Sequence, residues 1–178
     1  MPRARRDEQG IKYISPDQVA DLILAEPKRD DFVIIDVRST DFAGGNLPGA
    51  VNITTSEFRD ERSLSRLIHT HILPRPSLTL LILHCMRSQT RGPFAAHLLS
   101  QSPLLPPQIE VRVMEGGFAG WWRRFRDDER RERLFEGLLE RQEGSAREGG
   151  EWVDVVQANE GEDGEAEDSR ELRRELGR

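Results

Sequence analysis

Short apolar runs alternate with amphipathic segments from residue 11 to about residue 125. The runs have the length and the aliphatic content of buried strands, and they cover residues 32–37, 51–53, 78–83 and 109–114. Apolar positions at helical spacing lie between them, most clearly over residues 63–73 and after Pro93. Strands that alternate with helices predict an α/β fold with a central parallel sheet flanked by helices.

The first helix has a recognisable start. Ser15 is a typical N-cap, Pro16 suits the first helical position, and Gln18 completes a capping box. A last amphipathic segment has aromatic residues at helical spacing, which we expect to lie in the core; these are Phe118, Trp121, Trp122 and Phe125.

The chemistry of the chain is concentrated around its single cysteine. Cys85 lies two residues beyond the run at 78–83, and five residues separate it from Arg91. A short loop that enters a helix directs its backbone N–H groups at one point, where the helix dipole adds positive potential. That point suits a tetrahedral oxyanion, and the same field favours an ionised, nucleophilic thiolate. The residues of this predicted anion-binding loop after the cysteine are Met86, Arg87, Ser88, Gln89, Thr90 and Arg91.

Two side chains of the loop have predicted roles in catalysis beside Cys85. The planar guanidinium of Arg91 can bind two anion oxygens at once, which a lysine cannot do. The hydroxyl of Ser88 can donate a hydrogen bond to the sulfur, or it can serve as an ordinary loop hydrogen bond. A lone cysteine after a strand can also be a small buried hydrophobic residue, but the combination with Arg91 favours a functional site.

Several stretches of the chain resemble the rhodanese-fold cysteine phosphatases, a family that includes the M-phase inducer phosphatases and small fungal and plant phosphatases and arsenate reductases. The resemblance covers about residues 11 to 126. The stretches that carry it are His84 to Pro93 (HCMRSQTRGP), residues 13–16 (YISP), 34–38 (IIDVR), 44–52 (GGNLPGAVN) and 115–118 (EGGF). The resemblance implies a rhodanese-like domain with supporting roles for Asp36, His84 and Gly92, and Asp36 is expected to be buried rather than to donate a proton.

Loop length implies the activity within this family. Sulfurtransferases of the fold have a loop that is one residue shorter, whereas the five residues before Arg91 match the cysteine phosphatases. The resemblance thus implies a protein tyrosine or dual-specificity phosphatase that forms a phosphocysteine at Cys85. The mitotic phosphatases carry glutamates within the loop, where this chain has Met86 and Thr90. Glu115 is therefore the candidate general acid.

Three other functions remain open. The loop would also accept arsenate, and an arsenate reductase with one cysteine would need glutathione or glutaredoxin as external reductant. A phosphopeptide-binding module that has lost catalysis is disfavoured because Cys85 and Arg91 are both present, and a sulfurtransferase is disfavoured by loop length. The expected substrate is a phosphorylated protein or a small oxyanion, and no cofactor is expected.

Charge divides the chain into a balanced domain and an acidic tail. The 178 residues have a net charge of −6, all of which lies in residues 141–178 with 12 acidic and 6 basic residues. That segment is rich in Gly and Glu and is predicted to be disordered, apart from a short apolar patch that begins at Trp152. We expect a flexible N-terminus at residues 1–10, a catalytic domain at 11–140 and a disordered tail at 141–178.

The remaining features exclude several partners. The acidic composition provides no basic patch for nucleic acid, and no apolar run is long enough to cross a bilayer. His69 and His71 are two residues apart and therefore face different sides of a helix, which disfavours a metal site on ligand geometry. A single cysteine and the lack of a secretory signal indicate a reducing compartment, the cytoplasm and also the nucleus.

Overall fold

In the part that the structure describes, the chain forms one five-stranded sheet and six helices. A computed structural model describes residues 10–42 and 44–138. The strands are β1 (Lys12–Ile14), β2 (Phe32–Asp36), β3 (Val51–Asn52), β4 (Leu80–His84) and β5 (Glu110–Met114). The helices are α1 (Pro16–Leu24), α2 (Ser56–Arg59), α3 (Glu61–Leu67), α4 (Arg91–Gln101), α5 (Gly117–Phe125) and α6 (Arg131–Leu134). A 3-10 turn covers Thr40–Phe42, and a π-helical turn covers Ile68–Ile72.

All neighbouring strands of the sheet are parallel, in the order β1-β5-β4-β2-β3. The predicted parallel sheet is therefore confirmed, with the Cys85 strand β4 at its centre. Asp36 and His84 are register partners at the ends of β2 and β4. The carboxyl ends of these strands meet at one edge, which is where parallel sheets place their ligand sites.

Helices cover both faces of the sheet, and the strands alternate between two cores. Val33, Ile35, Leu81 and Leu83 pack on the side of α3 and α4, whereas Ile34 and Ile82 pack on the side of α1 and α5. Successive residues of a strand point to opposite faces, so a run that is apolar throughout is the pattern of a strand buried on both sides. The predicted aromatic core is confirmed, since each of its four residues is buried; they are Phe118, Trp121, Trp122 and Phe125.

The helix starts follow the local sequence signals. The predicted capping box of α1 is formed, because the Ser15 side chain accepts from the Gln18 N–H and the Gln18 side chain accepts from the Ser15 N–H. Helix α4 begins at Arg91, two residues before Pro93, because a proline in the first turn lacks only an N–H that has no helical partner.

The helical segment predicted over residues 63–73 is confirmed, although it begins earlier and ends as a π-helical turn. Helix α3 begins earlier, at Glu61, because Asp60 caps it by accepting from the Ser63 N–H at 2.8 Å. It then changes into the π-helical turn, in which Leu73 N–H donates to Ile68 O at 3.0 Å. That hydrogen bond spans five residues, so the last turn is wider than an α-helical one.

Some of the sequence expectations concern residues outside the described part. Outside it lie residues 1–9 of the predicted flexible N-terminus (1–10), residues 139 and 140 of the predicted catalytic domain, and the predicted tail at 141–178 with its Trp152 patch. Within residues 10–42 and 44–138, no helix combines the length and the apolar composition that a membrane span needs. His69 and His71 lie on the π-helical turn, and no group of three metal-ligating side chains is present among the described residues.

Candidate active site

The loop from Cys85 to Arg91, termed the Cys85 loop, connects the end of β4 to the start of α4. It lies at the carboxyl edge of the sheet, as the sequence predicts. Cys85 and Arg91 are 4% and 5% exposed, so both are enclosed by protein. Charged groups that are held in a largely desolvated loop interact more strongly than they would in water.

The sulfur of Cys85 accepts a hydrogen bond from the backbone of its own loop. The Ser88 N–H donates to Cys85 Sγ at 3.2 Å, and Ser88 has a φ of 54°, in the left-handed region. This conformation is uncommon for a residue with a side chain and turns the backbone across the loop toward the sulfur. The position of the sulfur is therefore fixed by the backbone of its own loop.

The predicted hydrogen bond from the Ser88 hydroxyl to the sulfur is not formed. The backbone N–H of Ser88 takes that position, and the buried Ser88 Oγ has no hydrogen-bond partner among the described residues. Gly92 packs beside this hydroxyl, since a Cβ added to Gly92 would lie 3.4 Å from Ser88 Oγ and 3.5 Å from Cys85 N. Gly92 therefore keeps the space that the serine side chain occupies.

The backbone of the Cys85 loop is held from behind by the start of α5. Phe118 N–H donates to Cys85 O at 2.9 Å, and Ala119 N–H donates to Met86 O at 2.8 Å. These bonds draw the two carbonyl oxygens toward α5, which leaves the interior of the loop to N–H groups. Gly117 makes this close approach possible, because its φ is 57° and a Cβ there would lie 2.6 Å from Met86 O.

We expect Gly117→Ala to disrupt the Cys85 loop. The added methyl group would also lie 2.8 Å from Arg87 N, so the loop must move away from α5. A displacement of about 1 Å at a reacting group costs on the order of a hundredfold in rate, so the aryl phosphatase activity that the sequence predicts should fall by about that factor in kcat/KM. Gly49→Ala is the matched control, because Gly49 has a φ of 69° but nothing within 4 Å of the added Cβ. Equal losses in both variants would show that backbone strain, and not the approach to the loop, is responsible.

Arg91 is bound by a carboxylate from the other side of the loop. Its two terminal nitrogens donate to Asp41, Nη1 to Oδ1 at 2.8 Å and Nη2 to Oδ2 at 2.5 Å. Asp41 lies on the 3-10 turn that follows β2. Burial of Asp41 acts to raise its pKa, but the hydrogen bonds and charge of Arg91 outweigh this and hold the pKa below its ordinary range.

A buried polar cluster lies beneath the Cys85 loop. Asp36 and Arg38 are both fully buried and form an ion pair, with Arg38 Nη2 2.6 Å from Asp36 Oδ2. The guanidinium also stacks 4.0 Å from the centre of the Phe118 ring. His84 Nε2 lies 3.7 Å from Asp36 Oδ2, and burial of the imidazole keeps the pKa of His84 below its usual value despite the nearby carboxylate. His84 is therefore neutral at physiological pH, and Asp36 serves as the counter-ion of Arg38.

Asp36→Asn should destabilise the fold strongly. The substitution leaves the Arg38 guanidinium buried without its counter-ion, and loss of one partner of a buried pair costs about 3–5 kcal/mol of the free energy of unfolding. Urea denaturation followed by circular dichroism measures this change. Asp31→Asn removes the carboxylate of the exposed ion pair with Arg29 and should leave the urea midpoint unchanged. A midpoint for Asp36→Asn equal to that of the wild type would contradict the structural role of the buried pair.

The other candidate residues lie at different distances from this chemistry. Glu115 directly follows β5 at the same edge of the sheet, and its N–H donates to Ile14 O. Among the described residues, its carboxylate makes no hydrogen bond or ion pair with the Cys85 loop. Gln89 is exposed at the outside of the loop, whereas Thr90 is buried and its carbonyl accepts from Phe94 N–H at 2.9 Å in the first turn of α4.

Sequence reasoning missed two residues of the site, Asp41 and Gly117. Asp41 follows the end of β2 by five residues, and its position beside the carboxyl edge of the sheet was the available signal. Gly117 belongs to the stretch EGGF, and the resemblance predicts no role in the site for this glycine. The need for a left-handed, side-chain-free residue there depends on the approach of α5 to the loop, which only the folded chain shows.

Comparisons with known proteins agree with this architecture. A model of the rhodanese-like domain family matches residues 15–124. The chain is 29% identical over 133 residues to dual specificity phosphatase ibp1 of Schizosaccharomyces pombe, covering 65% of this chain and 91% of that protein. It is 28% identical over 116 residues to arsenical-resistance protein 2 of Saccharomyces cerevisiae, covering 62% of this chain and 88% of that protein.

A solved structure has a similar fold. It is described as Ygr203w, a yeast protein tyrosine phosphatase of the rhodanese family, and it superimposes with a TM-score of 0.59 at 28% identity. The match covers 72% of this chain and 94% of the yeast chain.

Proposed function

Because this chain belongs to the rhodanese-like domain family, we propose that it is a cysteine-dependent protein phosphatase of tyrosine or dual specificity. The proposed nucleophile is Cys85, and the proposed binding groups for the phosphoryl oxygens are the N–H groups of the Cys85 loop and the guanidinium of Arg91. The observation that carries the proposal is the loop itself. In it, the sulfur of a buried cysteine accepts a hydrogen bond from the Ser88 N–H, and Arg91 follows at the start of a helix.

The proposed reaction has two displacement steps. The Cys85 thiolate attacks the phosphorus of a phosphoryl ester, an S–P bond forms as the P–O bond to the leaving group breaks, and the leaving alcohol or phenol takes up a proton. Water then attacks the phosphocysteine, which releases inorganic phosphate and restores the thiolate. In both steps the N–H groups and Arg91 would bind the equatorial oxygens while negative charge redistributes among them.

The first step requires a proton for the leaving group, and Glu115 is our candidate donor. Its support is its position at the carboxyl edge of the sheet directly after β5, beside the helix start that holds the Cys85 loop. Tyrosine is a better leaving group than serine or threonine, because a phenol has a pKa near 10 and an aliphatic hydroxyl a much higher one. Hydrolysis of a phosphotyrosyl protein therefore depends less on this proton than hydrolysis of a phosphoseryl or phosphothreonyl protein.

A second candidate function is arsenate reduction. One relative carries the name arsenical-resistance protein 2, and arsenate has the shape and charge of phosphate. Cys85 would displace one arsenate oxygen as water and form an arsenic–sulfur adduct. A second thiol would then attack the sulfur, forming a mixed disulfide as arsenic is reduced by two electrons. Because the chain has one cysteine, that thiol would come from glutathione or glutaredoxin.

Two assays distinguish the candidates. Purified protein and its Cys85→Ser variant are tested for hydrolysis of an aryl phosphate, and separately for arsenate reduction with glutathione and glutaredoxin. Cysteine-dependent hydrolysis supports the phosphatase, and cysteine-dependent reduction without hydrolysis assigns the reductase. Absence of both activities in the wild-type protein would overturn the proposal that Cys85 is a nucleophile toward oxyanions.

A further inference from the structure

One carboxylate beside the Cys85 loop has no part in the reaction described above. Asp41 accepts from both terminal nitrogens of Arg91, and its side chain is 14% exposed. The two residues are 50 positions apart in the sequence, so the contact is made by the fold and not by local chain geometry. Bidentate pairs of this kind fix the plane of a guanidinium as well as its position.

Asp41 is itself held in place by the segment around it. Ser39 N–H donates to Asp41 Oδ1 at 3.1 Å, so one carboxylate oxygen is bound from two directions. Arg38 Nη1 approaches the Asp41 carbonyl at 3.3 Å. Because Arg38 also forms the fully buried ion pair with Asp36, the turn that carries Asp41 is anchored to the end of β2.

The geometry of a guanidinium determines which edge an oxyanion can use. Arginine has five N–H donors, which include an end edge between the two terminal nitrogens and one side edge formed by Nε and a terminal nitrogen. Asp41 binds the end edge, since it accepts from Nη1 and Nη2. A phosphoryl group would therefore be bound through a side edge formed by Nε and one terminal nitrogen.

The charge state of Asp41 fits an anchor better than a proton donor. Its pKa lies below the ordinary range because hydrogen bonds from Arg91 outweigh the effect of burial. A carboxylate that is ionised at neutral pH has no proton to give to a leaving group, but it can hold a cation through the whole catalytic cycle.

We propose that Asp41 is a positioning residue of the oxyanion site, which holds the end edge of Arg91 so that its side edge faces the phosphoryl oxygens. This inference rests on the proposed function. It makes two separate predictions, because replacement of Asp41 removes both the fixed orientation of Arg91 and a negative charge beside the site, and these two losses affect a bound anion in opposite directions. Loss of orientation lowers kcat, since the transition state needs the donors in defined places. Loss of a negative charge beside the site does not weaken the binding of a ground-state anion.

The alternative is that Asp41 acts as an electrostatic gate that competes with the substrate for Arg91. Removal of a competitor would leave kcat unchanged or raise it, and would tighten the binding of every anion. The bidentate contact alone is compatible with that effect, but the anchoring of Asp41 by Ser39 and Arg38 favours a fixed support over a displaceable ligand.

Kinetics of Asp41→Asn test the proposal. We expect kcat for an aryl phosphate to fall by about tenfold to a hundredfold, while the Ki of inorganic phosphate as a competitive inhibitor changes by less than about threefold. Asp41→Glu keeps the carboxylate and should recover part of the lost kcat. Asp31→Asn, which alters another bidentate pair of aspartate with arginine, at a distance from the loop, is the matched control and should keep the wild-type kcat.

A double-mutant cycle shows whether Asp41 acts through Arg91. In an Arg91→Lys background the planar guanidinium is absent, so the added substitution Asp41→Asn should lower kcat by less than about twofold. The positioning role would be overturned if Asp41→Asn lowered kcat by the same factor in the wild-type and Arg91→Lys backgrounds. It would also be overturned if Asp41→Asn kept the wild-type kcat and lowered the Ki of phosphate. Either result would leave the phosphatase proposal intact. If the wild-type protein neither hydrolyses the ester nor binds phosphate, both proposals fail. A retained Ki in the variants verifies that the loop is folded.

Discussion

Cys85→Ser is expected to remove turnover almost completely while anion binding is kept. An alcohol stays protonated where a thiol can ionise, so the variant lacks the proposed thiolate nucleophile. Loss of a nucleophile in a hydrolase that works through a covalent intermediate costs at least about a thousandfold in kcat. The surrounding N–H groups and Arg91 do not depend on sulfur, and serine is close to cysteine in size. Phosphate should thus still bind.

Steady-state hydrolysis of an aryl phosphate measures the first part, and the Ki of inorganic phosphate or direct calorimetric titration measures the second. The free energy of unfolding of the variant should remain near that of the wild type. Activity of Cys85→Ser within tenfold of the wild type would exclude the sulfur as nucleophile. Loss of phosphate binding along with turnover would show that the substitution has disrupted the loop.

Arg91→Lys should produce the second-largest loss. A lysine places one compact charge where the guanidinium places a planar pair of donors, and it cannot bind Asp41 and two phosphoryl oxygens at the same time. Removal of one preorganised donor at a developing oxyanion costs about 3 to 4 kcal/mol in the transition state, which corresponds to about 10² to 10³ in kcat. Measurement of kcat and KM for an aryl phosphate gives this loss directly.

Arg29→Lys is the matched control for that substitution. Arg29 also forms a bidentate pair, with Asp31 and through its Nε and Nη2, but it lies at an exposed position before β2 and away from the Cys85 loop. Its variant should keep wild-type kinetics. A similar loss in both variants would indicate a general effect of arginine removal, and full activity of Arg91→Lys would mean that positive charge alone is sufficient.

The sheet and the Cys85 loop could be predicted because their signals are local. The run at residues 78–83 is apolar at nearly every position, which is the pattern of a strand covered on both faces, and the structure places β4 at Leu80–His84. The strand begins two residues after the start of the run, because Leu78 N–H closes a turn onto Arg75 O. Leu78 is buried like a residue of the strand, so its apolar side chain extends the run, but it is not part of β4.

The contacts that arrange the site are long-range, and sequence patterns contain little information about them. Asp41 and Arg91 approach each other because β2 and β4 are neighbours in the sheet, so the turn after one strand faces the loop after the other. Gly117 depends on the docking of α5 against that loop in the same way. The sequence left the hydroxyl of Ser88 as a donor either to the sulfur or within the loop, whereas the left-handed backbone of Ser88 presents its N–H to the sulfur instead.

Trapping of the covalent intermediate tests the central proposal most directly. Wild-type protein is mixed with a rapidly cleaved aryl phosphate, quenched within milliseconds, digested and examined by mass spectrometry for a phosphoryl group on the peptide that contains Cys85. We predict phosphate on Cys85 in the wild-type protein at a yield that approaches one per chain, and none on the corresponding peptide of the Cys85→Ser variant. Hydrolysis that proceeds in the wild type without this adduct, or at the same rate in the variant, would contradict a phosphocysteine mechanism.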